Sequence, residues 1–167
     1  MANISGLDEK TVRAAVKSFI ESLNCAGHVF SRRRSITSRE HFARALGKAS
    51  IDSKVEIQFL EIEFLQFVDL DASGGEDCPG ASIVYGLHLF KQFVDSRSDS
   101  TNSDDEFTAA VFKLREGFLN FHDFGAAVGE PITQPEYANF GNDSLTDCKG
   151  HSVDLLLTVN YTEENEG

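Results

Sequence analysis

Hydrophobic positions along this 167-residue chain change period several times, and each change marks an element. In DEKTVRAAVKSFIESL, residues 8–23, Val12, Val16, Phe19, Ile20 and Leu23 fall on one stripe of a helix. Asp8 and Glu9 stand in its first turn, where the helix dipole favours acids. TSREHFARALGK, residues 37–48, predicts a short helix: Thr37 and Glu40 form a capping box, Phe42, Ala45 and Leu46 the buried side, and Gly47 the stop. From residue 54 to 69 the period is two. Val55, Ile57 and Phe59 alternate with Glu56 and Gln58, then Leu60, Ile62 and Phe64 alternate with Glu61 and Glu63. The phase slips by one residue, which predicts a bulge or tight bend near Phe59–Leu60.

DASGGEDCPG, residues 71–80, is dense in turn formers and predicts a loop. SIVYGLHLFKQFV, residues 82–94, is apolar on both faces, with Ile83, Tyr85, Leu87 and Leu89 one way and Val84 and Phe90 the other. That pattern fits a central strand covered on both sides. VDSRSDSTNSDDEF, residues 94–107, divides in two: a polar connection, then a helix start at Ser103 and Glu106 with Asp104 and Asp105 in the first turn. It lacks the alternate ligands and central glycine of a calcium loop. Phe107, Ala110, Val111, Leu114 and Phe118 continue that helix. NFHDFGAAVGEPITQPEY, residues 120–137, reads as an irregular link. HSVDLLLTVNYTEENEG closes the chain with a half-exposed strand: Val153, Leu155, Leu157, Val159 and Tyr161 on one face, Ser152, Asp154, Thr158 and Asn160 on the other. The expected class is α+β, a mostly antiparallel sheet packed against two or three helices. One domain is expected over residues 1–167, with residues 1–7 and the acidic tail 162–167 frayed.

Charge narrows the range of partners. Twenty-seven acids against fifteen Lys and Arg give a net charge of −12, which repels phosphate backbones and anionic membranes. No apolar run has the roughly 18 residues of a membrane span. MANISGLDEK lacks the basic and apolar regions of a secretory signal, and Cys25, Cys78 and Cys148 have neither even number nor CxxC spacing, so reduced thiols and a cytoplasmic site are expected.

Catalytic patterns are scarce. His28, His41, His88, His122 and His151 make no HExxH or HxH spacing, and there is no GxSxG, phosphate loop or GxGxxG. Glu61 and Glu63 share a strand face and would form an acid/base pair if buried together; the plainer reading is the wet side of a sheet. Arg32, Arg33 and Arg34 are the one concentrated positive feature, read either as a solvated turn or as a subunit contact with acids of a neighbour. No catalytic residue, metal or cofactor is expected, and the chain reads as a non-enzyme.

In element order the chain resembles the small tail-terminator (neck or tail-completion) proteins of phages. The resemblance runs over residues 8–162: the first helix, AGHVFSRRRSITSREHFARALGK, KVEIQFLEIEF, then SIVYGLHLFKQFVDSRSDSTNSDDEFTAAVFKLREGFL and HSVDLLLTVNY. The family's tryptophan in the extended segment has no counterpart, since this chain has none. The resemblance implies a homo-oligomeric, hexameric ring that caps the tail tube, stops its polymerisation and meets the head-side connector. It further implies that DNA slides through the lumen without specific binding, and that the protein resides in the virion after assembly in the host cytoplasm. On that reading Arg32, Arg33 and Arg34 lie at the subunit interface, while Asp71, Glu76, Asp77, Asp95, Arg97 and Asp99 lie on partner-facing loops. The alternatives are another head–tail connector subunit, or a small α+β ligand-binding or catalytic domain built on Glu61, Glu63 and His88.

Overall fold

The computed structural model describes residues 9–34, 36–70, 80–93, 103–120, 132–145 and 148–162. In chain order these form α1 (Glu9–Ser22), β1 (His28–Phe30), α2 (Arg39–Ala45), β2 (Gln58–Leu70), β3 (Gly80–Gln92), α3 (Ser103–Asn120), β4 (Ile132–Leu145) and β5 (Cys148–Thr162). The strands make one five-stranded mixed sheet in the order β1-β2-β3-β5-β4. Only the short β1–β2 pair is parallel; β2–β3, β3–β5 and β4–β5 are antiparallel. The class is α+β, as the alternation of periods predicts.

The period-two and helical stripes meet on one face of this sheet. Val12, Val16 and Ile20 of α1 and Phe107, Ala110, Val111, Leu114 and Phe118 of α3 are buried against Leu60, Ile62, Ile83, Tyr85, Leu87, Leu89, Val153, Leu155, Leu157 and Val159. Phe19 and Phe118 join the two helices edge to face, with ring centroids 5.1 Å apart. Tyr85 is fully buried, and its hydroxyl reaches Glu9 Oε1 at 3.1 Å while Arg13 Nε holds the same oxygen at 2.7 Å. Burial, and then the Glu9 charge, pushes the Tyr85 phenol well above its ordinary range. Tyr85→Phe removes this tie yet leaves Glu9 paired with Arg13. Stability is expected to fall by about 1 kcal/mol, read as a lower urea midpoint with unchanged circular dichroism.

A second, smaller core lies on the opposite face. Phe30, Ile36, Phe42, Ile57, Phe59 and Phe90 are buried together under α2. Phe59 stacks on Phe90 at 5.3 Å and lies 5.6 Å from Phe42. This cluster corrects the expected slip at Phe59–Leu60. The strand is regular there; both faces are apolar because both are covered, Phe59 by α2 and Leu60 by the two long helices. The irregularity lies further on, between Phe64 and Gln66, where Leu65 is the extra residue.

Other boundaries move for equally local reasons. The α2 N-cap is Ser38, whose side chain accepts from the His41 amide at 3.1 Å, while the expected cap, Thr37, meets the His41 ring Nδ1 at 2.5 Å. Gly47 does end α2: it has φ +72, and the amides of Gly47 and Lys48 bond to the Arg44 and Ala43 carbonyls at 2.9 and 2.8 Å. The link expected over residues 120–137 contains the start of a strand instead. β4 pairs with β5 from Ile132, with a register shift between Pro135 and Ala138. A proline and a bulge are tolerated because β4 pairs on one side only among the described residues.

Candidate functional site

The face of the sheet opposite the long helices turns polar beyond the α2 cluster. The register sets Glu61 of β2 opposite His88 of β3, and His88 opposite Asp154 of β5. His88 Nε2 lies 2.7 Å from Glu63 Oε2, and its Nδ1 lies 2.5 Å from Asp154 Oδ1. One imidazole thus straps three neighbouring strands. After β1 the chain crosses above this row, so that the Arg34 amide donates to Glu61 Oε2. Arg33 Nη1 stands 3.5 Å from Glu63 Oε2, and its Nε stands 4.0 Å from Glu61 Oε1. Glu61 is only 6% exposed, so its charge needs these partners.

The expected trio of Glu61, Glu63 and His88 therefore does come together, in a row across one face of the sheet. A general base needs one ring nitrogen free to take a proton. Here both ring nitrogens face carboxylate oxygens, Glu63 on one side and Asp154 on the other. The site lies on a sheet face, whereas a depression of about 340 Å³ lies elsewhere, lined by Ile20, Glu21, Asn24, Cys25, Ala26 and Gly27. Among the described residues no group of three or more His, Cys, Asp or Glu side chains is arranged to hold a metal ion, and no helix is long and apolar enough to cross a membrane.

A second histidine cluster has the element order of a nucleophile site without its geometry. Ser103 Oγ meets His151 Nε2 at 3.1 Å, and Asp104 Oδ1 lies 3.9 Å from Nδ1, too far for a hydrogen bond. Ser103 is 1% exposed, and His151 is held between Phe93 and Phe107. These contacts anchor the start of α3 to β5. Beside them the buried Lys91 ammonium stands 3.3 Å from Glu106 and 3.5 Å from Glu56, tying α3 to the segment that leads into β2.

Cys25 is a half-buried thiol at the rim of the depression, its carbonyl bonded by Gln58 Nε2 at 2.7 Å. Burial pushes its thiol above the ordinary value. Iodoacetamide at mildly alkaline pH is expected to modify Cys25 several-fold more slowly in the native chain than in urea, measured on the Cys25 peptide by mass spectrometry.

Of the expected interface residues, Arg33 and Arg34 spend part of their polar capacity on Glu61 and Glu63, and the Arg34 guanidinium lies over Phe30 at 5.5 Å. Arg32 is exposed. The loop residues Asp71, Glu76, Asp77, Asp95, Arg97 and Asp99 lie outside the described residues.

The arginine triplet belongs to a larger basic cap. Residues 31–55 hold seven of the fifteen Lys and Arg and two of the 27 acids, a net of +5; the other eight bases and 25 acids leave −17 to the rest of the chain. The inner side of this segment is the apolar cluster around Phe42, and its outer side exposes Arg32, Arg33, Arg34, Arg44, Lys48 and Lys54. Arg39 fixes the segment in place. Its guanidinium donates to Gln92 Oε1 at 3.1 Å and to the Asp52 and Val55 carbonyls at 3.0 and 2.7 Å. A running charge sum along the sequence finds the whole cap, where a search for consecutive arginines finds only its start.

Comparison of the chain with protein-family models gives no match, and comparison with curated proteins gives none either.

Proposed function

We propose that this chain is a structural subunit of the phage tail-terminator kind, a protein that acts by assembling into a ring at the end of a tail tube. The observation that carries this reading is the separation of charge. A cap of +5 on a chain that is otherwise −17 is complementary to other copies of itself. Two unlike surfaces that attract one another make a head-to-tail contact, and such contacts close into rings when the rotation between copies allows. Charge of this kind sets register and encounter rate more than affinity, which suits a subunit that must add in one orientation. The order of elements that resembles the tail terminators supports the same reading. The tube protein and the head-side connector are the partners it implies.

The strap of Glu63, His88 and Asp154 is, on this reading, a clamp that keeps the three strands in register beside the cap. A second reading makes it a ligand site, because three titratable side chains do converge there. Saturable shifts of the His88 ring nitrogens on titration with small anions or sugars would favour that reading. Negative-stain images of the concentrated protein test the first one. Closed rings with an open centre are expected, and a field of uniform particles of single-chain size would contradict it.

A further inference from the structure

Strand β2 continues for nine residues, Ile62 to Leu70, past the last residue that β1 covers. Among the described residues no strand lies beyond it there. Phe64, Leu65 and Phe67 along this stretch are 41%, 45% and 48% exposed. The bulge sets the two phenylalanines on one face, in register with Tyr85 and Ile83, and leaves Leu65 beside Gly86 on the other. Exposed strand margins are ordinarily protected by lysine, proline or charge. From Phe64 to Val68 this one has none of the three. Arg33, 3.5 Å from Glu63, gives the apolar strip a basic rim at its near end.

The opposite margin of the sheet is β4, which pairs only with β5 among the described residues. Strand directions follow from the pairings: β1, β2 and β5 run one way, β3 and β4 the other. A second copy placed so that its sheet continues the first therefore brings its β4 antiparallel to the open part of β2. We infer that the seam between neighbouring copies is this strand pair, β2 from Ile62 to Leu70 of one copy with β4 of the next, and that the assembly carries a continuous sheet across it. The inference rests on the ring reading and names the surface through which the ring closes. It uses two different margins at opposite ends of the sheet, as a head-to-tail contact must. Antiparallel addition at a free strand supplies backbone hydrogen bonds, and Phe64, Leu65 and Phe67 supply the apolar area.

Hydrogen exchange on the wild-type protein, dilute and concentrated, tests it. Assembly is expected to slow amide exchange at least tenfold within both residues 62–70 and residues 132–145. Phe64→Glu with Phe67→Glu is expected to abolish both changes together, with circular dichroism unaltered. Rings that form without protection in these two segments would overturn the seam and leave the ring reading standing. Protection in β2 alone, with a two-chain mass, would mean that β2 pairs with itself about a two-fold axis, which overturns both. A single chain at every concentration also overturns both.

Discussion

Gly27→Ala is expected to cost the fold about 3 kcal/mol, enough to move the urea midpoint by roughly 1 to 2 M. Gly27 has φ +70, in the left-handed region where an L side chain is strained. The strain is the smaller part. A Cβ built at this position lies 2.4 Å from the Gln58 carbonyl oxygen and 2.8 Å from its carbon. Those are backbone atoms of the first residue of β2, so no rotamer change relieves the contact. The chain must move, and the moving part is β1, which leads directly to Arg33 and Arg34 and to their hold on Glu61 and Glu63. Gly47→Ala is the control. Its φ is +72, but nothing stands within 4 Å of the added carbon, so only the conformational cost of about 1 kcal/mol remains.

Reversing the outer charges of the cap is expected to abolish assembly while sparing the fold. In the variant Arg44→Glu, Lys48→Glu, Lys54→Glu all three side chains are exposed, so each change is expected to alter unfolding by less than about 0.5 kcal/mol. At a head-to-tail contact the three reversals replace attraction by repulsion. At about 1 kcal/mol each this weakens association roughly a hundredfold or more. Sedimentation should find single chains at concentrations where the parent assembles. Arg33→Glu makes a poorer probe, because it sets a third carboxylate beside Glu61 and Glu63 and so disturbs the row on the sheet as well.

How much of this could be read from sequence depended on whether a pattern had a single cause. β5 alternates because one face is buried, and α1 and α3 show one stripe because each covers the sheet on one side, so period alone located them. Residues 57–64 show two patterns in succession because α2 covers Ile57 and Phe59 while the two long helices cover Leu60 and Ile62, and that was legible only as a slip in phase. β4 carried no period at all. A margin strand with Pro135 in it and one paired side has little reason to alternate. The α2 boundary moved by one residue because Ser38 and Thr37 both offer a hydroxyl, and only the fold decides which one faces the His41 amide. At the site, the Glu61 and Glu63 pair and the arginine triplet were each visible, but as separate features, since their opposite charges meet only through the fold. The strap through His88 to Asp154 was not, because it joins residues 66 apart through strand order.

On the proposed function, copies of this chain assemble through complementary charge. Native mass by light scattering on a sizing column, run at about 50 mM and about 500 mM salt, tests it most directly, since screening over this range shortens the Debye length severalfold. The expected result is a closed multiple of the 18.4 kDa chain at low salt, about 110 kDa for a hexamer, shifting toward smaller species as salt rises. A mass of one chain at both salt concentrations would contradict the account.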